Sequence, residues 1–233
     1  MPYVSDRRGR GKGYKRKRSF LSKRTYINRI ADAAPRNQMS QFLSAFNPFP
    51  AVHFATLRYV TKIALNVTTA DQAPTHYFRA NSIHDPDYTG VTFGGQPYGH
   101  DTYANIYNHY QVLGSTITVQ GNPANNTRYF GLGCLLQDNN NIIEDEARQL
   151  CAMKGSSYIK SGNGGVVTVK RSFDTKYMQD KSTQCARFGS DPADPMYFVV
   201  FSTDDESVGN GLSCQVTIIY KIKMWELRDL SAT

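Results

Sequence analysis

The chain has 233 residues, 27 Lys/Arg against 19 Asp/Glu for a net charge of +8, and 12% aromatic residues led by 15 Tyr and 12 Phe. No apolar run nears the ~18 residues of a membrane-spanning helix, and no apolar stretch follows the N-terminal charges, so neither a membrane span nor a secretory signal is expected. Cys134, Cys151, Cys185 and Cys214 stand too far apart for a C-x-x-C zinc or redox site and are expected to be free thiols.

Charge is segregated along the chain. Residues 1–36 hold 12 Lys/Arg and two acids, Asp6 and Asp32, an excess of +10. Residues 37–233 hold 15 Lys/Arg and 17 Asp/Glu, a sum of −2. The chain therefore divides into a basic arm, 1–36, and a nearly neutral body, 37–233. The body is large enough for one all-β domain with a substantial core.

Within the arm, Arg7, Arg8, Arg10, Lys12, Lys15, Arg16, Lys17, Arg18, Lys23 and Arg24 show no apolar period and are interleaved with glycine. Like charges repel and glycine raises the entropic cost of a fixed shape, so the arm is expected to be disordered alone. A polyanion is the partner such a segment suits, with counterions released from each neutralised phosphate. Tyr14 and Phe20 could stack on exposed bases. Lys15, Arg16, Lys17 and Arg18 also read as a nuclear localisation signal. A solvated basic tail is the simplest competing reading.

Residues 27–49 are transitional, with Pro35, Pro48 and Pro50 punctuating the approach to the first strand. From Leu57 the sequence alternates. Leu57, Tyr59, Thr61, Ile63, Leu65 and Val67 share one face of a half-buried strand, with mostly polar residues between them. A short strand is expected over 75–80, followed by turn chemistry at Asp85-Pro86-Asp87. The long connection from Tyr88 to His100 reads as a functional surface loop. A third strand spans 107–120, with Gly114 marking a bend or bulge, and a fourth spans 128–137.

Residues 142–152 read as a short surface helix. Strands follow at 155–160 and 166–173, then an excursion over 174–195. The run 196–203 is near-continuously apolar and suits a strand buried on both faces. The last strand spans 212–225, with Val216, Ile218, Tyr220, Ile222 and Met224 on one face. Eight antiparallel strands with unequal connections predict an all-β, two-sheet jelly roll, with no helix longer than about three turns.

The stretch from His76 to Asp87, HYFRANSIHDPD, resembles an F-R-x-N-S-I-x-D-P-D pattern. It occurs in capsid proteins of small circular single-stranded DNA viruses, the circovirus-like viruses that encode a replication initiator. Gly94 to Asp101, followed by Tyr107 to Ile117, is similar to the Q-P-x-G loop and Y-x-x-Y-x-V-x-G-S-x-I strand of that family. Order and spacing agree over about 45 residues, and the basic arm and terminal Tyr-Lys-Ile-Lys-Met strand fit the same pattern. The resemblance implies a self-assembling icosahedral shell of single jelly rolls, T=1 with 60 copies, with the arm facing inward. It implies single-stranded DNA as the packaged partner and host import receptors as a further one. The virion, and the host nucleus during assembly, are the implied locations. No membrane partner and no cofactor are expected.

Catalytic chemistry is poorly represented. Among His53, His76, His84, His100 and His109, the neighbours His84-Asp85 and His100-Asp101 suggest base–orienter pairs, but adjacent residues of a strand face opposite ways. Glu144-Asp145-Glu146 and Asp204-Asp205-Glu206 could offer oxygen ligands to Ca²⁺. Solvated charge is the simpler reading, and no metal is expected. Three function classes remain: a shell packaging single-stranded DNA, the same architecture packaging RNA, and a cellular basic-tailed module that binds carbohydrate, through its tyrosines, or nucleic acid.

Overall fold

A computed structural model describes residues 48–66, 73–90, 95–123, 130–140, 147–161, 165–178, 180–202 and 211–229. The strands are β1 (Val52–Asn66), β2 (Thr75–Arg79), β3 (Tyr107–Pro123), β4 (Phe130–Gln137), β5 (Ser157–Ser161), β6 (Val167–Asp174), β7 (Cys185–Arg187), β8 (Tyr197–Ser202) and β9 (Gly211–Leu227). The short helices are α1 (His100–Ala104) and α2 (Ala147–Ala152). Eight strands are those expected from the alternation. The additional β7 lies in the stretch read as an excursion, too short for its own period to show.

Two sheets form, with strand orders β1-β9-β3-β6 and β2-β8-β4-β5, and β7 pairs with β3 beside β6. Every pairing is antiparallel. The eight longer strands pair first with last (β1·β9), second with seventh (β2·β8), third with sixth (β3·β6) and fourth with fifth (β4·β5). Alternate pairs fall in alternate sheets, joined through β9·β3 and β8·β4. A long hairpin rolled up on itself gives this order, and the fold is a jelly roll. The expected bulge in β3 is present as a register shift between Val112 and Gly114. A side chain at Gly114 would press on the Phe173 carbonyl at 3.1 Å.

The core between the sheets follows from the period of two. On β1 and β9, Leu57, Tyr59, Ile63, Leu65, Val216, Ile218, Tyr220, Ile222 and Met224 point inward and are buried. They meet Phe78, Phe130, Leu132, Phe198 and Val200 of the opposing sheet. The same strands place Arg58, Lys62, Ile219 and Lys221 on the outer side, exposed.

The central strands of the second sheet, β8 and β4, are buried on both sides. Tyr197 through Ser202 are all buried, as their continuous apolar run predicts. On the outer side Tyr197, Val199, Phe201 and Leu135 form a second cluster, covered by Leu150 of α2 with Cys151 and Met153. The helix expected over 142–152 is therefore more than a surface element: Leu150 is fully buried. Its acidic front, residues 144–146, lies outside the described residues, as do 203–210 with Asp204, Asp205 and Glu206. Among the described residues no helix is long and apolar enough to cross a membrane.

Candidate nucleic-acid interface

Arg7, Arg8, Arg10, Lys12, Lys15, Arg16, Lys17, Arg18, Lys23 and Arg24 lie outside the described residues. What the structure places is the surface that follows them in the chain, together with the motif residues that prompted the capsid resemblance.

The motif residues fold inward. Asn81 is fully buried. Its amide donates to Gln184 Oε1 at 2.7 Å and to the Asp194 carbonyl at 2.8 Å, and its Oδ1 accepts from Met196 N–H at 2.8 Å. Ser82 donates to Asp191 Oδ1 at 2.6 Å and meets the Tyr110 hydroxyl at 2.9 Å. Tyr110 donates to the Ser190 carbonyl at 2.9 Å. Arg79 bridges Asp85 at 3.1 Å and Asp191 at 3.2 Å, with its guanidinium 5.0 Å from the centre of the Tyr88 ring. Tyr220 donates to the Arg79 carbonyl at 2.7 Å.

The two resembling stretches thus converge in one buried polar node that fixes the β2–β3 connection against the β7–β8 connection. Each member is satisfied by a partner distant in sequence, as buried polar groups must be. Burial pushes the Tyr110 hydroxyl up to about 12, so it acts there as a neutral donor. The role of these residues is architectural.

The loop residues Gln96 and Tyr98 reach the free edge of β1. Tyr98 N–H donates to the Arg58 carbonyl at 3.2 Å. A cleft of about 580 Å³ lies between Arg58–Thr61 and Gly95–Tyr98, partly capping an edge that would otherwise invite another strand.

Three histidines pair with carboxylates. His76 Nε2 lies 2.6 Å from Asp87 Oδ1 and tilts against Phe78. His100 Nδ1 lies 2.9 Å from Asp101 Oδ1, which corrects the strand-based expectation that these neighbours cannot meet. They open α1 rather than occupy a strand, so the alternation of faces does not apply. Burial outweighs Asp101 and lowers the His100 imidazole below its usual range. His84 faces Gln96 at 3.4 Å instead of its neighbour, and Asp85 goes to Arg79. The third pair is His109 Nδ1 and Glu226, 2.8 Å apart. Arg187 Nε donates to His109 Nε2 at 3.4 Å.

The outer face of the five-stranded sheet is the one large surface of the sandwich left without a covering layer among the described residues. Register places Arg58, Lys62, Lys221, Lys223, Lys170 and Arg187 on it, with Asp174 as the acid in the same rows. Asp174 is already paired with Lys176 at 2.8 Å. Thr116, Thr118, Gln120 and Gln215 fill the rows between. At one end Trp225 stacks on His109, with ring centres 5.8 Å apart, and Lys223 lies 5.4 Å from the centre of the Trp225 ring. Phe54, opposite Lys223, is 62% exposed. The sequence signal for this surface was the polar half of the alternation in β1 and β9, which reads equally well as ordinary solvent-facing positions. Among the described residues no group of three His, Cys, Asp or Glu is gathered as a metal site would need.

No protein family and no curated protein sequence matches the chain. Among solved structures it is similar to the 60-mer of the BFDV capsid protein, at 8% identity over 79% of this chain and 100% of that one, with a TM-score of 0.44. It is similar to Turnip Yellow Mosaic Virus at 13% identity over 78% and 99%, TM-score 0.45. It is also similar to Cocksfoot mottle virus at 13% identity over 73% and 96%, TM-score 0.46. The structural neighbours are viral capsid proteins, and at this distance it is the strand order, not the likeness, that assigns the fold.

Proposed function

We propose that this chain is the coat protein of a small circular single-stranded DNA virus. It assembles into a closed icosahedral shell, T=1 with 60 copies, and packages the genome through its arm. The observation that carries the reading is the union of two features in one chain: a segment with an excess of +10, followed directly by a jelly roll. In that roll the circovirus-like stretches from His76 to Asp87 and from Tyr107 to Ile117 close one buried node. The role is structural, not enzymatic. Sixty arms would bring roughly 600 excess charges inside, each able to offset one phosphate. A longer genome needs small cations or polyamines besides. Lys15, Arg16, Lys17 and Arg18 serve in addition as the address read by host import receptors, so the protein passes through the nucleus before residing in the virion.

Purified protein is expected to form uniform closed particles by electron microscopy, with nucleic acid inside that is destroyed by DNase and survives RNase once released. A monomer at every salt, pH and concentration would overturn the shell. RNase-sensitive contents would leave the shell and overturn the DNA genome. The arm's sequence carries no recognition element, so binding is expected to be weak in sequence preference and steep in salt. Replacing Lys15, Arg16, Lys17 and Arg18 by Gln should flatten the salt slope by about three for single strands. An unchanged slope with affinity lost for one sequence only would mean that the arm reads bases.

A further inference from the structure

We propose that the bare outer face of the five-stranded sheet is itself a binding surface for single-stranded nucleic acid, with Phe54 as a stacking platform beside the only tryptophan of the chain. The inference rests on the nucleic-acid part of the proposed function and extends it from the arm to the folded body.

Antiparallel sheets are commonly buried on one side and solvated on the other, so a polar outer face alone means little. This one carries a strong sign. Arg58, Lys62, Lys170, Arg187, Lys221 and Lys223 stand against a single acid in the same rows, Asp174, which Lys176 already engages. Glu226, at the end of β9, is a second acid at the margin of this face, 2.8 Å from His109 Nδ1. A surface of one sign concentrates the opposite charge and raises its rate of encounter. Outward positions recur every ~7 Å along a strand and neighbouring strands lie ~4.8 Å apart. The basic residues therefore form a spread lattice of point charges rather than a focused pocket. Such a lattice suits a flexible backbone of repeated phosphates better than a compact anion.

Stacking is the second requirement of sequence-tolerant single-strand binding. Phe54 is 62% exposed on the edge strand, opposite Lys223, so a base on its ring would place its phosphate near a cation. Thr and Gln in the rows between supply neutral hydrogen-bonding groups. Val52, Val60 and Ile219 are also exposed on this face, but Val60 and Ile219 stand among Arg58, Lys62 and Lys221 rather than in the charge-depleted centre that a folded protein partner would need.

Trp225 lies in the outermost row of the face, so its fluorescence reports directly on occupancy. The experiment titrates the full-length chain, dilute and unassembled, with oligothymidylate of about 20 nucleotides, longer than one expected site. The parent, a K62Q/K170Q/K221Q/K223Q variant, the matching four-Arg variant, F54A and an arm variant with Lys15, Arg16, Lys17 and Arg18 changed to Gln are compared. Circular dichroism checks that each keeps its sheet. The expected results are a change in Trp225 emission on binding, a salt slope lower by about three in the four-Gln variant, and parent-like binding by the four-Arg variant. F54A should bind about tenfold more weakly, near the low end for one stacked base. Parent-like affinity, slope and emission change in a folded four-Gln variant would overturn the proposal. If the arm variant alone then lost binding, the arm reading would stand without it. Binding of the parent to anionic vesicles but not to the oligonucleotide would overturn both.

Discussion

The two sheets differ most on the sides that face away from each other. Both are antiparallel and both bury their inner faces in one core. On the outer side of the four-stranded sheet, Phe201, Val199 and Leu135 are fully buried beneath Leu150 of α2. On the outer side of the five-stranded sheet, the corresponding central positions are Ile219, 41% exposed, and Lys221. The first face is a second core and contributes stability. The second has no covering layer among the described residues, which is why a binding role is proposed for it. A mutation of the same size should therefore have unequal consequences on the two faces.

The largest expected difference is between two apolar truncations. Phe201→Ala removes a ring that lies over Gly133, where any side chain would collide with it. It should cost about 3–5 kcal/mol in urea unfolding, the range for a buried Phe. Ile219→Ala on the bare face should cost less than about 1 kcal/mol, since little contact is lost at an exposed position. Equal losses would mean that something covers the five-stranded face in solution.

Asn81→Ala tests whether the resembling stretch is architectural. It leaves Met196 N–H, Asp194 C=O and Gln184 without their Asn81 partner, and a drop of roughly 3 kcal/mol is expected. A stable Asn81→Ala protein that fails to assemble would instead assign the residue to an intersubunit contact.

The cysteines sharpen the picture of the core. Burial pushes Cys134 and Cys214 each up to about 12, which suppresses the reactive thiolate. Cys151 and Cys185 are only half-buried. Mass spectrometry after iodoacetamide should show labelling of the latter pair first, and of all four only in denaturant.

The smallest effect expected is the pH dependence carried by His100, which is 4% exposed. Its imidazole titrates below the ordinary value of 6.5 because burial disfavours the cation. The unfolded chain thus takes up the proton first as pH falls. The stabilisation is fully present above 6.5 and is lost as pH drops from there through the lower folded value. His100→Gln should flatten the dependence of Tm between about pH 7 and pH 5. An unaltered slope would place the dependence on another group.

Local pattern and long-range pairing divide the determination of this protein. The period of two in Leu57–Leu65 and Val216–Met224 set which side chains face the core, because successive residues of a strand point oppositely whatever the partner. The continuous apolar run at 197–201 declared burial on both faces. The excess of +10 before β1 is a property of the sequence alone. What covers the outer side of β8 was not legible, because Leu150 comes from a helix some fifty residues away and a periodic strand does not name its cover. Nor was the node legible: Asn81 and Gln184 are separated by 103 positions. The motif announced that Asn81 mattered without saying to what. Strand order itself was decided only in three dimensions, since pairing β1 with β9 depends on which edges remain free once the inner hairpins have closed.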